Sequence, residues 1–190
     1  MLAPVADNNP EWIRGLRAGE PSAFDAVYDH YRARIYSFLL RMTGRPAVAE
    51  ELAQETWLRL AKHARRLHQD SDIGAWLYTV ARNLARSHRR WVLLDPLSFN
   101  DLRAAPAEDS PLFAAVANQT QAELEKAVAK LPLKYREVLL LVVVEGFEPA
   151  QVAEILDRKP AAIRQQLSRA RARIEEHLER APRTAKANAT

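Results

Sequence analysis

Residues 148–171 read E-P-A-Q-V-A-E-I-L-D-R-K-P-A-A-I-R-Q-Q-L-S-R-A-R, and the break at Asp157–Lys159 decides the fold. Asp tolerates the left-handed backbone that ends a helix, and Pro160 brings the fixed φ that opens the next. The spacing predicts helices over Glu148–Leu156 and Pro160–Arg180 joined by a short turn, the arrangement of a helix-turn-helix. In the second helix Ile163, Leu167, Ala170, Ile174 and Leu178 recur at steps of three or four, which marks a buried stripe. Arg164, Gln165, Ser168, Arg169 and Arg171 fall on the remaining faces. A helix of this width enters the DNA major groove, where Arg pairs with guanine and Gln with adenine through two hydrogen bonds. The same pattern also describes an ordinary amphipathic helix with surface arginines.

Upstream, Pro132 splits a helix over Thr120–Leu131 from one over Leu133–Glu145, and Gly146 separates the latter from the turn motif. The apolar run Val138–Val144, closed by Glu137 and Glu145, is far shorter than the ~20 residues of a membrane span and reads as a buried helix. No strand alternation competes. Before this lobe lies Asp95–Gln119, with Pro96, Pro106 and Pro111 and no helical period. It exceeds the ~12–15 residue ceiling for structureless loops in compact domains, so it is expected to tether two bodies. Net charge is +4 over residues 1–94 (14 basic, 10 acidic), −3 over 95–119 and +3 over 120–190. An acidic connector therefore joins two basic lobes.

In the first lobe Asn9-Pro10 offers a cap and a first-turn proline for a helix to about Arg17. Ser22 with Asp25 resembles a weakened capping box for a helix carrying Phe24, Val27, Tyr28, Tyr31, Ile35, Phe38, Leu39 and Met42, which Gly44 ends. Pro46 opens another, with Val48, Leu52, Thr56, Leu58 and Leu60 expected in the core and Glu50, Glu51 and Glu55 as an outward acidic edge. A further helix runs from near Ile73 to about Leu94.

That last helix interleaves aromatic and basic residues. Ile73, Leu77, Val80, Ala81 and Leu84 form its buried stripe; Tyr78, Arg82, Arg86 and Arg89 line one exposed strip, and Thr79, Asn83, Ser87 and Arg90 its neighbour. Guanidinium groups neutralise phosphates, rings stack on unstacked bases and an Asn amide reads a base edge, the equipment for single-stranded nucleic acid. The competing reading is a solvated basic face with Trp76 and Trp91 in the core.

Several function classes are excluded or unsupported. With 190 residues the chain holds one domain or two small ones, and 48% apolar with 27% charged residues suits a folded helical protein. It has no Cys, so disulfides, thiolate metal sites and cysteine nucleophiles are impossible. No phosphate-loop, dinucleotide, nucleophile-elbow or zinc-protease motif occurs, so no catalytic residue, cofactor or metal is assigned. His63 and His68 are five apart and diverge on a helix, which makes them poor metal partners. Residues Met1–Asn9 lack a signal-peptide pattern, and a cytoplasmic location is expected. Glu50, Glu51 and Glu55 read as an edge for a basic partner rather than an acid/base site.

Taken together these residues resemble the extracytoplasmic-function (ECF) sigma factors, the small RNA polymerase specificity subunits of the sigma-70 family. Ala49–Leu60 is similar to the family's A-E-D-L-x-Q-E-x-F helix of region 2, with Glu51 where Asp is usual. Ala75–Arg90 is similar to its A-W-L-x-x-x-A-R-N-x-x-x-D-x-x-R helix, Leu131–Leu139 to the L-P-x-x-x-R-E-V-L opening of region 4, and Leu167–Arg171 to its recognition-helix ending. The resemblance implies an all-α fold of two helical domains: region 2 over 1–94, an acidic linker over 95–119, region 4 over 120–181 and a polar tail over 182–190. It implies that Glu51, Gln54 and Glu55 dock on the beta-prime clamp helices of core RNA polymerase, which the chain also meets through the beta subunit. Trp76, Tyr78, Arg82, Asn83 and Arg86 are then expected at the minus-ten promoter element, with the loop Leu67–Ile73 helping to pocket a flipped base and Asn83 as the principal base reader. Arg164, Gln165, Ser168, Arg169 and Arg171 are expected at the minus-thirty-five element, and the linker is expected to thread the polymerase channels.

An anti-sigma factor is a further implied partner. The turn departs from the family, since Asp157 replaces the usual Gly and Arg158 stands where an apolar residue normally packs. Two alternatives share the fold: a decoy that titrates an anti-sigma factor, and a stand-alone helix-turn-helix regulator.

Overall fold

Proline opens helix after helix in this chain, because its fixed φ suits the first turn and its missing N–H would have no partner there. The computed structural model describes residues 9–94 and 119–180. The expectations for the N-terminal residues, the acidic linker and the polar tail lie outside the described residues. After α1 (Asn9–Ala18), α2 (Pro21–Thr43) and α3 (Pro46–His63) both begin on proline. A 3-10 turn over Ala64–Arg66 leads toward α4 (Ile73–Leu94). The second lobe holds α5 (Gln119–Lys130) and α6 (Leu133–Leu139), which continues as a π-wound segment over Leu140–Val144. There α7 (Pro149–Leu156) and α8 (Pro160–Arg180) again begin on proline. No strand occurs among the described residues.

Several local expectations change. The N-cap of α2 is Glu20, with Pro21 at the first position, so Ser22 and Asp25 lie inside the helix and form no capping box. Proline at the first position starts the helix ahead of the serine. The side chain of Asn9 serves the start of α4: its oxygen accepts the Ile73 N–H at 2.8 Å and its amide donates to the Ser71 carbonyl at 2.8 Å. Together with Asp72, whose carboxylate accepts the Ala75 N–H at 2.9 Å, it seals the first turn of α4.

In α3 the buried residues are Ala49, Leu52, Ala53, Thr56, Trp57 and Leu60, a stripe at alternating steps of three and one. Leu58 is off that stripe and 53% exposed, against the sequence expectation, and Trp57 takes the core position. Val143 and Val144 are likewise exposed, so only the first part of the apolar run is buried.

The first lobe packs α1, α3 and α4 around α2, burying Val27, Ile35, Phe38, Leu39, Leu60 and Leu77. In the second, α5, α6 and α7 pack on α8. The helix-turn-helix turn is as the sequence predicts: Asp157 is left-handed (φ 52°), and Arg158 N–H returns to the Ala153 carbonyl at 2.9 Å. The lobes touch, α4 lying against α7 and α2 against α5 and α6.

At the α1–α2 crossing, a Cβ placed on Gly15 would stand 2.5 Å from Ala23 Cβ. Gly15→Ala is expected to cost about 1–3 kcal/mol, the range for overpacking a filled site, seen as a lower urea midpoint with an unchanged slope.

Candidate nucleic-acid interface

Helix α4 presents the mixed strip in two halves. Asn83 and Arg86 are exposed, as are Ser87, Arg89 and Arg90. Trp76 is half-buried, its ring 6.4 Å from that of His63. Tyr78 and Arg82 are buried, contrary to the expectation that they line an exposed strip with Arg86 and Arg89. The second lobe covers Arg82 and one side of Tyr78, whose ring also meets the buried Phe38 of the first lobe edge-on at 5.2 Å. Trp91, expected as a core candidate, is 68% exposed.

The covering groups are acidic. Arg82 Nε donates to Glu137 Oε2 at 3.3 Å and its Nη2 to the Leu156 carbonyl at 3.4 Å. The Tyr78 hydroxyl donates to Glu145, and its ring meets Phe147 edge-on at 5.2 Å. Arg34 reaches the same carboxylate at 3.3 Å and the Glu145 carbonyl at 3.0 Å. Burial pushes the Tyr78 phenol far above its ordinary value, and the Glu145 charge adds to the rise. Burial also raises Glu145, against the pull of the Tyr78 hydroxyl and Arg34. Arg82 is lowered by desolvation, with Glu137 opposing. Sequence reasoning assigned no role to Glu137, Glu145 or Arg34; the signal was the isolated acids that bracket the apolar run.

On α8, Arg164, Gln165, Ser168, Arg169 and Arg171 are all exposed. Arg164, Ser168 and Arg171 follow at steps of four and three along one side. Arg169 is also engaged within the lobe: its hydrogen bond to Tyr135 is the main cause lowering that phenol, and Arg173 lies 5.4 Å over the same ring. Arg158, the departure in the turn, does not dangle. It donates to Gln166 Oε1 at 2.7 Å and to Glu137.

The acidic edge of α3 places Glu51 and Gln54 in solvent, with Glu55 half-covered and bonded to Arg59 at 2.8 Å. That hydrogen bond lowers Glu55 below the usual carboxylate range. Leu58, on the same side by spacing, and Tyr28 add exposed apolar surface. His63 and His68 are both exposed, and no group of three metal-ligating side chains occurs among the described residues. No described helix is long and apolar enough to cross a membrane.

Comparison with known proteins matches both lobes. The Sigma-70 region 2 family model covers residues 27–91, and the Sigma-70, region 4 model covers residues 121–174. The ECF RNA polymerase sigma factor BldN of Streptomyces coelicolor is 32% identical over 166 residues, which is 84% of this chain and 63% of that protein. The ECF RNA polymerase sigma factor SigL of Mycobacterium tuberculosis is 30% identical over 148 residues, 74% of this chain and 80% of that one. The chain thus spans somewhat under two thirds of the first relative's length. Among solved structures, CnrH in complex with the cytosolic domain of CnrY superimposes with a TM-score of 0.68 at 16% identity, covering 90% of this chain and 97% of that one. This last likeness is one of fold.

Proposed function

This chain belongs to the sigma-70 family of RNA polymerase sigma factors, in its ECF group, and from that premise we propose that it binds core RNA polymerase and directs initiation at a subset of promoters. Residues 1–94 serve as region 2 and 120–181 as region 4, with the linker between them in the polymerase channels. Glu51, Gln54 and Glu55 dock on the beta-prime clamp helices. Trp76, Tyr78, Arg82, Asn83 and Arg86 meet the minus-ten element, where capture of an extruded base offsets part of the cost of unstacking the duplex. Arg164, Gln165, Ser168, Arg169 and Arg171 face the minus-thirty-five element. The protein acts as a transcription factor in the cytoplasm, without catalysis of its own, under control of an anti-sigma factor.

The observation that carries this reading is the coexistence, in one chain, of an exposed Asn83–Arg86 edge on α4 and an exposed Arg164, Gln165 and Ser168 face on a helix-turn-helix. A run-off assay with purified chain, core polymerase and genomic fragments tests it. Discrete transcripts that require the chain support the proposal, and their absence refutes it in favour of a decoy or stand-alone regulator.

Within α8, Arg164→Ala is expected to cost about 1–3 kcal/mol at one base position if the guanidinium reads guanine, and to weaken all sites alike if it holds phosphate. Competition with single-base variants of the duplex separates these outcomes.

A further inference from the structure

Between α1 and the 3-10 turn that follows α3 lies a cleft of about 430 Å³, contained within the first lobe. Its α1 wall follows from spacing, since Ile13, Arg14, Arg17 and Ala18 fall at steps of one, three and one on a single side of the helix. Ile13 is buried and supplies an apolar base, whereas Arg14 and Arg17 stand in solvent. Arg65 adds a third guanidinium from the 3-10 turn, and Gln69 joins the lining from the loop Leu67–Ile73.

Arg65 lies against the turn that ends α1. Gly19 is left-handed there (φ 79°), and a Cβ on it would stand 3.0 Å from Arg65 Nη2. That turn closes by itself: Gly19 N–H returns to the Leu16 carbonyl at 3.1 Å and Glu20 N–H to the Gly15 carbonyl at 2.9 Å. Among the described residues the guanidinium groups of Arg14, Arg17 and Arg65 form no ion pair or hydrogen bond, and no carboxylate lines the cleft. Asp70, next to Gln69, pairs with His68 at 3.4 Å. Like charges gathered without an anion repel one another, and a polyanion laid between them removes that cost.

The neighbouring loop indicates which polyanion. Asn9, the first residue of α1, bonds both Ser71 and Ile73, so α1 is fastened to that loop and to the start of α4. A strand whose base is captured by the loop emerges beside the cleft. We propose that Arg14, Arg17 and Arg65 bind the sugar-phosphate backbone of the non-template strand immediately downstream of the minus-ten element, resting on the reading of α4 and its preceding loop as the minus-ten site.

Such contacts carry no sequence information; they lengthen the grip on melted DNA. A small-molecule site would show buried polar groups that fix its ligand, and here the polar groups are exposed arginines on long stems. Arginines of that kind hold a lone small anion weakly. A strand already held at the loop arrives instead as an intramolecular partner at high effective concentration, so weak contacts suffice.

Holoenzyme binding to two non-template oligonucleotides tests this, both taken from a promoter that the run-off assay identifies. One ends with the minus-ten element and the other continues several nucleotides downstream. With Arg14→Ala, Arg17→Ala and Arg65→Ala combined, the short strand should bind as it does to the parent, and the long strand about tenfold more weakly at low salt. Each phosphate that a single strand gives to a cation contributes about −0.7 to the slope of log affinity on log salt, so three lost contacts flatten it by about 2. The corresponding triple lysine variant should keep most of the slope, because lysine still meets phosphate as a point charge. Uncharged methylphosphonate linkages downstream should bring the parent to the level of the triple alanine variant and leave that variant unchanged. Abasic sites at the same positions should preserve the difference between the two. Equal loss on both strands overturns the proposal, because the cleft would then serve core polymerase, an acidic protein segment or the loop itself. Equal binding by parent and variant overturns it too, as does a difference that survives neutral linkages. Any of these results from a parent holoenzyme that makes promoter-specific transcripts refutes this inference alone, whereas a parent that supports no transcripts refutes the function.

Discussion

Reversing charge on the docking helix, with Glu51→Lys and Glu55→Lys together, should reduce promoter-dependent transcription by about a hundredfold or more while the chain stays folded. Glu51 and Gln54 stand in solvent, and Glu55 makes only a one-turn pair with Arg59, so no core group depends on them. Placing like charges against a basic partner is costly at an interface, whereas the same change on a free surface is nearly silent. The partner's contact is not purely ionic. Leu58 lies seven residues after Glu51 and four after Gln54, on the same side of α3, and an exposed leucine there gains from being covered. Leu58→Ser should therefore weaken assembly without the salt dependence of the double reversal. Co-elution with core polymerase at two salt concentrations, beside run-off transcription, reads both effects. Normal assembly by the double variant would remove α3 from the docking surface and leave the proposed orientation on the polymerase unsupported.

The helices were legible because each carries its own signal: prolines at the first positions of α2, α3, α7 and α8, glycine after α2, and apolar residues at steps of three and four. The same periodicity placed Asn83, Arg86, Arg164, Gln165, Ser168 and Arg171 in solvent, where the structure has them. It failed where exposure depends on a distant segment. Arg82 is covered by a carboxylate that arrives from 55 residues away, and Tyr78 sits between Phe38 of its own lobe and Phe147 of the other, with Glu145 arriving from 67 residues away; periodicity assigns a side and not its occupant. Leu58 was misplaced for a different reason: Trp57 and Leu60 complete the stripe of α3, and a leucine one residue out of phase looks apolar enough to join it. The π winding over Leu140–Val144 has no local mark in a run of leucines and valines; at its end Glu145 N–H returns to the Leu140 carbonyl at 2.9 Å, five residues back. Arg158 was recognisable as a misfit, yet its partner Glu137 was not, since a buried ion pair joins residues that no short motif spans.

Arg136→Met is expected to destabilise the chain on the order of 3 kcal/mol, from orphaned carbonyls at about 1–3 kcal/mol each. The Arg136 guanidinium bonds the Leu131 carbonyl at 3.1 Å and the Ala129 carbonyl from one side, and the Arg41 and Met42 carbonyls at 3.2 and 3.3 Å from the other. These are the C-terminal ends of α5 and α2, where unpaired carbonyls and the helix dipole favour a cation. No carboxylate pairs with Arg136 among the described residues. Burial, with Arg89 adding repulsion, lowers its pKa to about 10, which measures how poorly the charge is compensated. Methionine fills much of the volume without a charge to desolvate, so part of the loss is returned, and the remainder is the orphaned helix ends. Lysine keeps the charge but presents a compact donor group rather than a planar fork, so Arg136→Lys should recover only part of the stability. Urea denaturation of the three chains gives the order arginine, lysine, methionine if the carbonyl cradle is what matters. Equal midpoints for lysine and methionine would show that the planar fork alone holds the two helix ends, and a methionine variant as stable as the parent would show that the cradle contributes nothing net.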